Sequence, residues 1–276
     1  MTGTITSRRP HFRRPPILEQ AITVTFERIA DFDVVDFGLF WSTIRDEFPQ
    51  ANTTPKAQVL VENFEQLPAS MNLRLMPAVE LPRSMFRNLD GELVQLQEDR
   101  FGFNWIKADA SSPYPRYEAT RKRFLNLYGR FTDYILNRYN VDPRLQQCEI
   151  TNVNIVPVSD FGGDFGDMSL AFNVETFDLG IQGVVPESYS RQRQYRIDGP
   201  DGRPAGRLHV GINPVYRMGD QDKAFNFELT ARSAPTIAHI TEAMAFFDRA
   251  HDVINAAFMA TVTPKMCDIW GQTDGN

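Results

Sequence analysis

The most informative pattern of apolar and polar positions lies in residues 93–140. The stretch LVQLQEDRFGFNWI alternates as a half-buried strand does. Its apolar positions are first even-numbered, Val94 and Leu96, and then odd-numbered, Phe101, Phe103 and Trp105. A tight hairpin with Glu98-Asp99 at its tip resolves this change of phase, because it sets Leu96 opposite Phe101 and Val94 opposite Phe103. Glu98-Asp99 lacks the Gly or Asn that such turns favour, so a single bulged strand is the alternative.

Apolar residues at three-four spacing predict helices. The first long helix begins near Tyr117 and is stopped by Asp142-Pro143. Its core face carries Tyr117, Thr120, Phe124, Leu127, Phe131 and Tyr134. The second is predicted to begin at Pro235 after a Ser233 cap, with a stripe of Ile237, Ile240, Met244, Phe247, His251, Ile254 and Phe258. A shorter helix is expected over residues 34–48, with Asp33 as its N-cap.

Short β-prone runs fill the rest of the chain. Strands are predicted at residues 22–26, 58–64, 73–86, 149–158, 169–177, 191–197, 207–216 and 224–231. This order predicts an α+β fold with antiparallel sheets packed against long helices. We expect a basic tail at residues 1–16 and two halves, 17–141 and 142–276. Each half ends in a strand and a long helix, and Phe103-Asn104-Trp105 and Phe225-Asn226-Phe227 hold matching places, so the halves are candidates for a duplication.

Composition favours a soluble globular protein. The 276 residues are 42% hydrophobic and 23% charged, and the net charge of −6 argues against a body that binds nucleic acid. No apolar run has the roughly 20 residues of a membrane span, and the N-terminus lacks a signal-peptide core. Cys148 and Cys267 stand far apart, outside any disulfide or zinc pattern, which suits a reducing cytoplasm.

Two groups of basic residues are candidate contacts for an acidic partner or nucleic acid. The first is the tail, with Arg8, Arg9, Arg13 and Arg14. The second is a face of the first long helix, with Arg116, Arg121, Lys122, Arg123 and Arg130. A solvated tail and a solvated helix face are the simpler interpretations of both.

Candidate ligand-binding residues are His251, Asn104 and Trp105. His251 lies on the apolar stripe of the last helix, where a histidine is ordinarily a hydrogen-bonded core residue and otherwise an acid, base or ligand contact. The loop DFGGDFGDM at residues 160–168 holds three aspartates that suggest a metal site, but its spacing is that of a turn-rich loop. No cofactor motif, nucleophile motif or metal-ligand cluster is present, so no cofactor is predicted.

Several stretches resemble a sporadically distributed prokaryotic family of uncharacterised proteins. They are PPILEQAITVTFE, DEFPQ, LVQLQEDRFGFNW, YPRYE and FFDRAHDVINAAFMATVTPKMCDIWG, spread from about Pro15 to Gly271. The segment CEITNVNIVP departs from the corresponding family strand, of which Asn152 or Asn154 is what remains. The resemblance brings no activity, cofactor or catalytic residue. The family's patchy distribution implies accessory genes, such as those of defence or toxin-antitoxin systems.

These observations support three hypotheses of function. The first is a non-catalytic interaction or regulatory subunit of a multi-protein system, which binds a protein partner or itself. The second is a small-ligand binding module with an aromatic-lined cavity that includes His251, Asn104 or Trp105. The third is a hydrolytic enzyme that uses His251 or the loop at 160–168. The first is favoured because the sequence has no catalytic signature.

Overall fold

The computed structural model describes residues 11–64, 81–109, 112–217 and 221–273. Within these residues the strands are β1 His11–Phe12, β2 Ile17–Phe26, β3 Gln50–Thr54, β4 Arg83–Arg87, β5 Glu92–Gln97, β6 Arg100–Ile106, β7 Leu145–Pro157, β8 Arg191–Asp198, β9 Pro204–Tyr216, β10 Lys223–Ser233 and β11 Gln272–Thr273. The helices are α1 Val34–Ile44, α2 Tyr117–Tyr139, α3 Val158–Phe161, α4 Ile240–Thr261 and α5 Pro264–Ile269, with a 3-10 segment at Phe165–Leu170.

One antiparallel sheet of nine strands runs through both halves of the chain, in the order β3-β4-β5-β6-β2-β7-β10-β9-β8. The first strands of the two halves, β2 and β7, pair at its centre. Each is flanked on its outer side by the strand that leads into a long helix, β6 before α2 and β10 before α4. The predicted α+β fold, with an antiparallel sheet and long helices, is confirmed.

The long helices cover one face of the sheet and enclose an aromatic core there. Helix α2 packs on β6 and β2, and α4 packs on β7 and β10. Strand alternation sends Phe101 and Phe103 of β6 and Phe225 and Phe227 of β10 to the helix side. All four side chains are buried. The residues between them, including Asn104, face the other side of the sheet, which is rich in polar side chains.

The hairpin predicted in residues 93–106 is confirmed, and the bulged single strand is wrong. Leu96 pairs with Phe101 and Val94 with Phe103, with a two-residue tip at Glu98-Asp99. Both tip residues keep a negative φ. Contacts from elsewhere in the chain fix the tip, since Lys56 Nζ lies 2.8 Å from a carboxylate oxygen of Glu98 and of Asp99. Tertiary ion pairs therefore replace the usual turn residues.

The predicted first helix is also confirmed, although it ends at Ile44 rather than Phe48. Asp33 is its N-cap, as expected: the Asp33 side chain accepts a hydrogen bond from the Val35 backbone N–H at 2.8 Å. The Asp36 carboxylate in turn accepts from the Asp33 backbone N–H at 2.8 Å, which completes a capping box.

The strand predicted at residues 58–64 is wrong. This segment crosses the polar face of the sheet without joining a ladder. Side-chain amides bind its backbone instead: the Ala57 N–H donates to Gln97 Oε1 at 2.8 Å, and the Glu62 N–H donates to Gln147 Oε1 at 3.0 Å. The two glutamines donate in return to the carbonyls of Ala57 and Leu60. We call residues 55–64 the strap. The predicted strand at 73–86 lies partly outside the described residues, and its described end falls in β4.

Two further predictions are wrong in the second half. Residues 169–177 form no strand: a 3-10 segment that begins with a capping box at Asp164 runs to Leu170, and Phe172 makes only an isolated bridge with Val262. The last long helix begins at Ile240 rather than Pro235. Ser233 stays in β10, where its hydroxyl accepts from the Cys148 backbone N–H at 3.0 Å, while Glu242 caps the true start by accepting from the Ala238 N–H at 2.8 Å.

Candidate functional site

A cavity of about 680 Å³ opens where the two halves of the chain meet. Its walls come from the segment before β2, the segment between β6 and α2, the first turn of α2, the second half of α4, and strands β6 and β7. Elements that are distant in sequence thus converge on one space. Its volume falls within the range of about 300–1,000 Å³ that is typical of small-molecule sites.

The floor of the cavity is polar although it belongs to the helix-facing side of the sheet. Along β7 that side presents Cys148, Ile150, Asn152, Asn154 and Val156 in turn. The two asparagines line the cavity and are buried, and the adjacent β2 places the fully buried Gln20 beside them. Three carboxamides therefore interrupt an apolar surface at the centre of the sheet. Burial of such groups costs free energy unless they are hydrogen-bonded, so their clustering here is informative.

The hydrogen bonds among these carboxamides leave two of their polar atoms available to a bound ligand. Gln20 Nε2 donates to Asn152 Oδ1 at 2.9 Å, and the Thr120 hydroxyl of α2 donates to Gln20 Oε1. Asn154 Nδ2 donates to the Phe227 carbonyl at 3.0 Å. Within the described ranges, Asn152 Nδ2 and Asn154 Oδ1 have no hydrogen-bond partner. The floor thus presents one donor and one acceptor to the cavity.

One wall of the cavity is a stacked pair of rings that joins the two long helices. Tyr117 of α2 and His251 of α4 lie with centroids 4.1 Å apart and planes 11° apart. The Tyr117 hydroxyl donates to Asp248 Oδ1 at 2.7 Å, and Asn255 Nδ2 lies 3.1 Å from His251 Nε2. Burial, reinforced by the Asp248 carboxylate, raises the pKa of Tyr117 well above its ordinary value. The tyrosine therefore remains a neutral donor, and the pair forms a fixed aromatic surface.

Further aromatic side chains complete the walls. Trp105 of β6 and Tyr114 have ring centroids 5.3 Å apart, and Phe12 contacts Phe258 edge-on at 5.8 Å. Burial raises the pKa of Tyr114, which keeps its phenol neutral. Aromatic walls around a few fixed polar groups are the usual composition of a site that binds an organic molecule.

The rim of the cavity is mostly cationic. It carries Arg13, Arg14, Lys107 and Arg116 against the single carboxylate of Glu118. Arg14 donates to the Ile269 carbonyl at 2.6 Å. The other three cationic side chains make no hydrogen bond or ion pair with the residues that the structure describes. Helix α2 also begins at this rim, so its N-terminal dipole adds to the positive potential.

The structure brings together two of the three predicted ligand-binding residues. His251 and Trp105 line the cavity. Asn104 does not, because neighbouring strand residues point to opposite faces. On the polar face, Asn104 donates to Glu19 and accepts from Gln95 Nε2 at 2.9 Å.

Of the predicted basic contacts, some lie at the cavity and others do not. Arg13 and Arg14 lie at the cavity rim, where backbone N–H groups of both donate to carbonyls of residues 270 and 271, whereas Arg8 and Arg9 lie outside the described residues. The helix face is largely paired within the chain rather than simply solvated. Its ion pairs are Arg121 with Asp248, Arg123 with Glu92 and Glu47, and Arg130 with Glu47.

The aspartate loop at residues 160–168 has structural partners. Asp164 pairs with Lys223 at 2.6 Å and caps the 3-10 segment. Hydrogen bonding to Lys223 and to the Phe165 backbone lowers the pKa of Asp164. Among the described residues no group of three or more His, Cys, Asp or Glu side chains is placed to hold a metal ion.

Sequence reasoning missed Gln20, Asn152, Asn154 and Tyr117 as members of the site. Tyr117 was assigned to the core stripe of its helix, and nothing local distinguishes it from its apolar neighbours. The asparagines did leave a signal: in β7 they occupy even-numbered positions that continue the apolar series of Cys148 and Ile150. A polar pair on the buried face of a central strand is the pattern that could have indicated the site.

Comparison with known proteins found no matching family model, curated protein or solved structure. In the described residues no helix has the length and apolar character needed to cross a membrane.

Proposed function

We propose that the protein is a small-ligand binding module whose site is the cavity between its two halves. The observation that carries the proposal is the pair Asn152 and Asn154 on the otherwise apolar, helix-facing side of β7, with one donor and one acceptor directed at an aromatic-walled space. A core without a binding role gains more from apolar residues at such positions, because buried amides stabilise a fold only when fully hydrogen-bonded.

The tryptophans offer a direct test. Trp105 lines the cavity, whereas the Trp41 indole N–H donates to the Phe48 carbonyl at 2.8 Å elsewhere in the fold. In protein labelled at its indole nitrogens, members of a library of aromatic fragments are expected to shift the Trp105 resonance and leave that of Trp41 in place. Titrations followed by NMR would measure this.

Matched variants assign the binding to the cavity. Asn154→Leu removes a polar group from the floor, while Asn137→Leu makes the same change at an exposed position of α2. Fragment shifts at Trp105 should be lost in the first variant and kept in the second. Equal behaviour of the two variants, or shifts confined to Trp41, would contradict the proposal.

A second candidate function is a protein-interaction subunit, as the sequence analysis favoured. Its support is a run of exposed apolar side chains between the 3-10 segment and β8: Phe177, Leu179, Ile181, Val184 and Val185. Isolated exposed apolar residues are normal, but several in one loop are a feature of interaction surfaces. A ligand-regulated subunit would use the cavity and this loop together.

Replacement of two of these side chains tests the second candidate. Phe177→Ser with Val185→Ser should leave the melting temperature unchanged, because both residues are about three-quarters exposed. A partner cross-linked to the wild-type protein in the native cells and identified by mass spectrometry should be lost from this variant. A partner retained at the wild-type level would exclude the loop as its binding surface.

A further inference from the structure

We infer that the ligand of the cavity is an organic anion that carries a flat ring, with its acidic group held at the rim where α2 begins. This inference rests on the proposed function and adds the chemical class of the ligand. It is carried by the charge of the rim, the start of α2 and the atoms left open on the floor.

The rim has an excess of positive charge in a protein whose net charge is −6. Elsewhere on α2 the arginines are compensated, as Arg121 is by Asp248 and Arg123 by Glu92. At the rim, Arg13, Lys107 and Arg116 make no ion pair within the described part of the chain. Because like charges repel, a cluster of cations at a cavity mouth favours an anionic guest.

The first turn of α2 strengthens this preference. The helix has 23 residues, and its N-cap Arg116 provides no side-chain hydrogen bond to the first backbone N–H groups. Its φ of 68° and ψ of 157° lie in a region that is almost restricted to glycine. The Ala119 N–H donates to the Arg116 carbonyl at 3.2 Å, so the Tyr117 N–H, together with the helix dipole, is what the uncapped start of α2 offers to an anion.

The floor provides an independent indication of a ligand. Asn152 is nine-tenths buried, and its Nδ2 group lines the cavity without an acceptor among the described residues. Asn154 Oδ1 beside it offers an acceptor. A donor and an acceptor on one floor, between the stack of Tyr117 on His251 and the Trp105–Tyr114 pair, fit the edge and faces of a planar ring.

Two pairs of probes isolate the contribution of the anion. Anilinonaphthalene sulfonate and phenylnaphthylamine share a ring system and differ in the sulfonate, while adenosine monophosphate and adenosine share a nucleoside and differ in the phosphate. Calorimetric titration at low salt should show the charged member of at least one pair binding about tenfold more tightly than its neutral partner. The advantage should decrease as salt is added.

Arg116→Gly separates binding from folding. Glycine accepts the backbone geometry of residue 116 without strain, so the variant should melt at a higher temperature than the wild type while it loses the advantage of the charged probe. Arg203→Gly removes a surface charge at the exposed β8–β9 turn and should leave the affinity unchanged. Neutral probes that bind as tightly as charged ones, with shifts at Trp105, would overturn the anion inference and leave the proposed function intact. Absence of binding by every probe and fragment would overturn both.

Discussion

Phe101→Ala is expected to lower the free energy of unfolding by about 3–5 kcal/mol, the usual cost when a buried phenylalanine is truncated. Phe101 is fully buried, and its ring lies 5.3–6.2 Å from four others. These rings are Phe40 of α1 and Phe124, Tyr128 and Phe131 of α2. The substitution therefore removes the contact at which the β5–β6 hairpin meets both helices of the first half.

Denaturant unfolding followed by circular dichroism would measure this loss. Phe177→Ala is the matched control, because the same atoms are removed from a side chain that is 76% exposed. We expect a change within about 0.5 kcal/mol for the control, as is usual for surface positions. A loss below about 1 kcal/mol for Phe101→Ala would show that the aromatic cluster does not hold the hairpin to the helices.

The hairpin and the long helices could be predicted because local patterns determine them. A two-residue turn accounts for the change of phase between Leu96 and Phe101. Phe124 and Phe131 lie on the same face of their helix, so that face must be the one that packs on the sheet. These features depend on residues that are close in sequence or related by alternation.

The strap and the start of α4 could not be predicted, since distant residues decide both. The apolar run within residues 58–64 suggests a strand, yet Gln97 and Gln147 take backbone hydrogen bonds that a neighbouring strand would have used. Ser233 has the chemistry of a helix cap, but the Cys148 N–H holds it in β10. In each case a hydrogen-bonding group more than 30 residues away, a glutamine side chain or the Cys148 backbone N–H, competes with the local preference.

Only part of the site could be predicted, because most of its residues are brought together by elements that are distant in sequence. His251 is predicted from its place on the apolar stripe of a helix and Trp105 as an aromatic residue of a cavity wall, and both line the cavity. Their neighbours there come from β2, β7, α2 and the N-terminal segment, and only the fold brings these elements together. The error at Asn104 was one of alternation: it adjoins Trp105 in β6, so it must lie on the opposite face of the sheet.

The position of the cavity links the two candidate functions. Its floor belongs to β7 of the second half and its neighbour β2 of the first, and its Tyr117–His251 wall joins α2 to α4. A ligand in this space contacts both halves, so its binding energy also stabilises their association. The exposed loop before β8 belongs to the second half alone. A subunit that presents this loop according to occupancy of the cavity would combine ligand binding with partner recognition.

The largest electrostatic effect is expected at Glu62, which anchors the strap. Its carboxylate is nearly buried, with 4% of the side chain exposed, and it pairs with Arg207, with Arg232 at 3.0 Å and with His209 at 2.6 Å. Glu62→Gln keeps the shape of the side chain and removes the charge, which leaves Arg207 and Arg232 without their shared anionic partner. We expect a loss of about 3 kcal/mol in unfolding free energy at neutral pH.

The pH dependence identifies the cause of that loss. Burial opposes ionisation of Glu62, but the hydrogen bond from His209 and the charges of Arg232 and Arg207 prevail and hold its pKa below the ordinary value of 4.5. The stability that the ionised Glu62 carboxylate adds is therefore fully present above pH 4.5, and it disappears as the pH falls through the folded-state pKa. The difference in unfolding free energy between the wild type and Glu62→Gln should be constant near neutral pH and should disappear in acid.

The control is Glu27→Gln, which breaks an exposed ion pair with Arg144. It should lower the unfolding free energy by less than about 1 kcal/mol at any pH. A difference between the wild type and Glu62→Gln that persists in strong acid would mean that Glu62 acts through its shape and not through its charge.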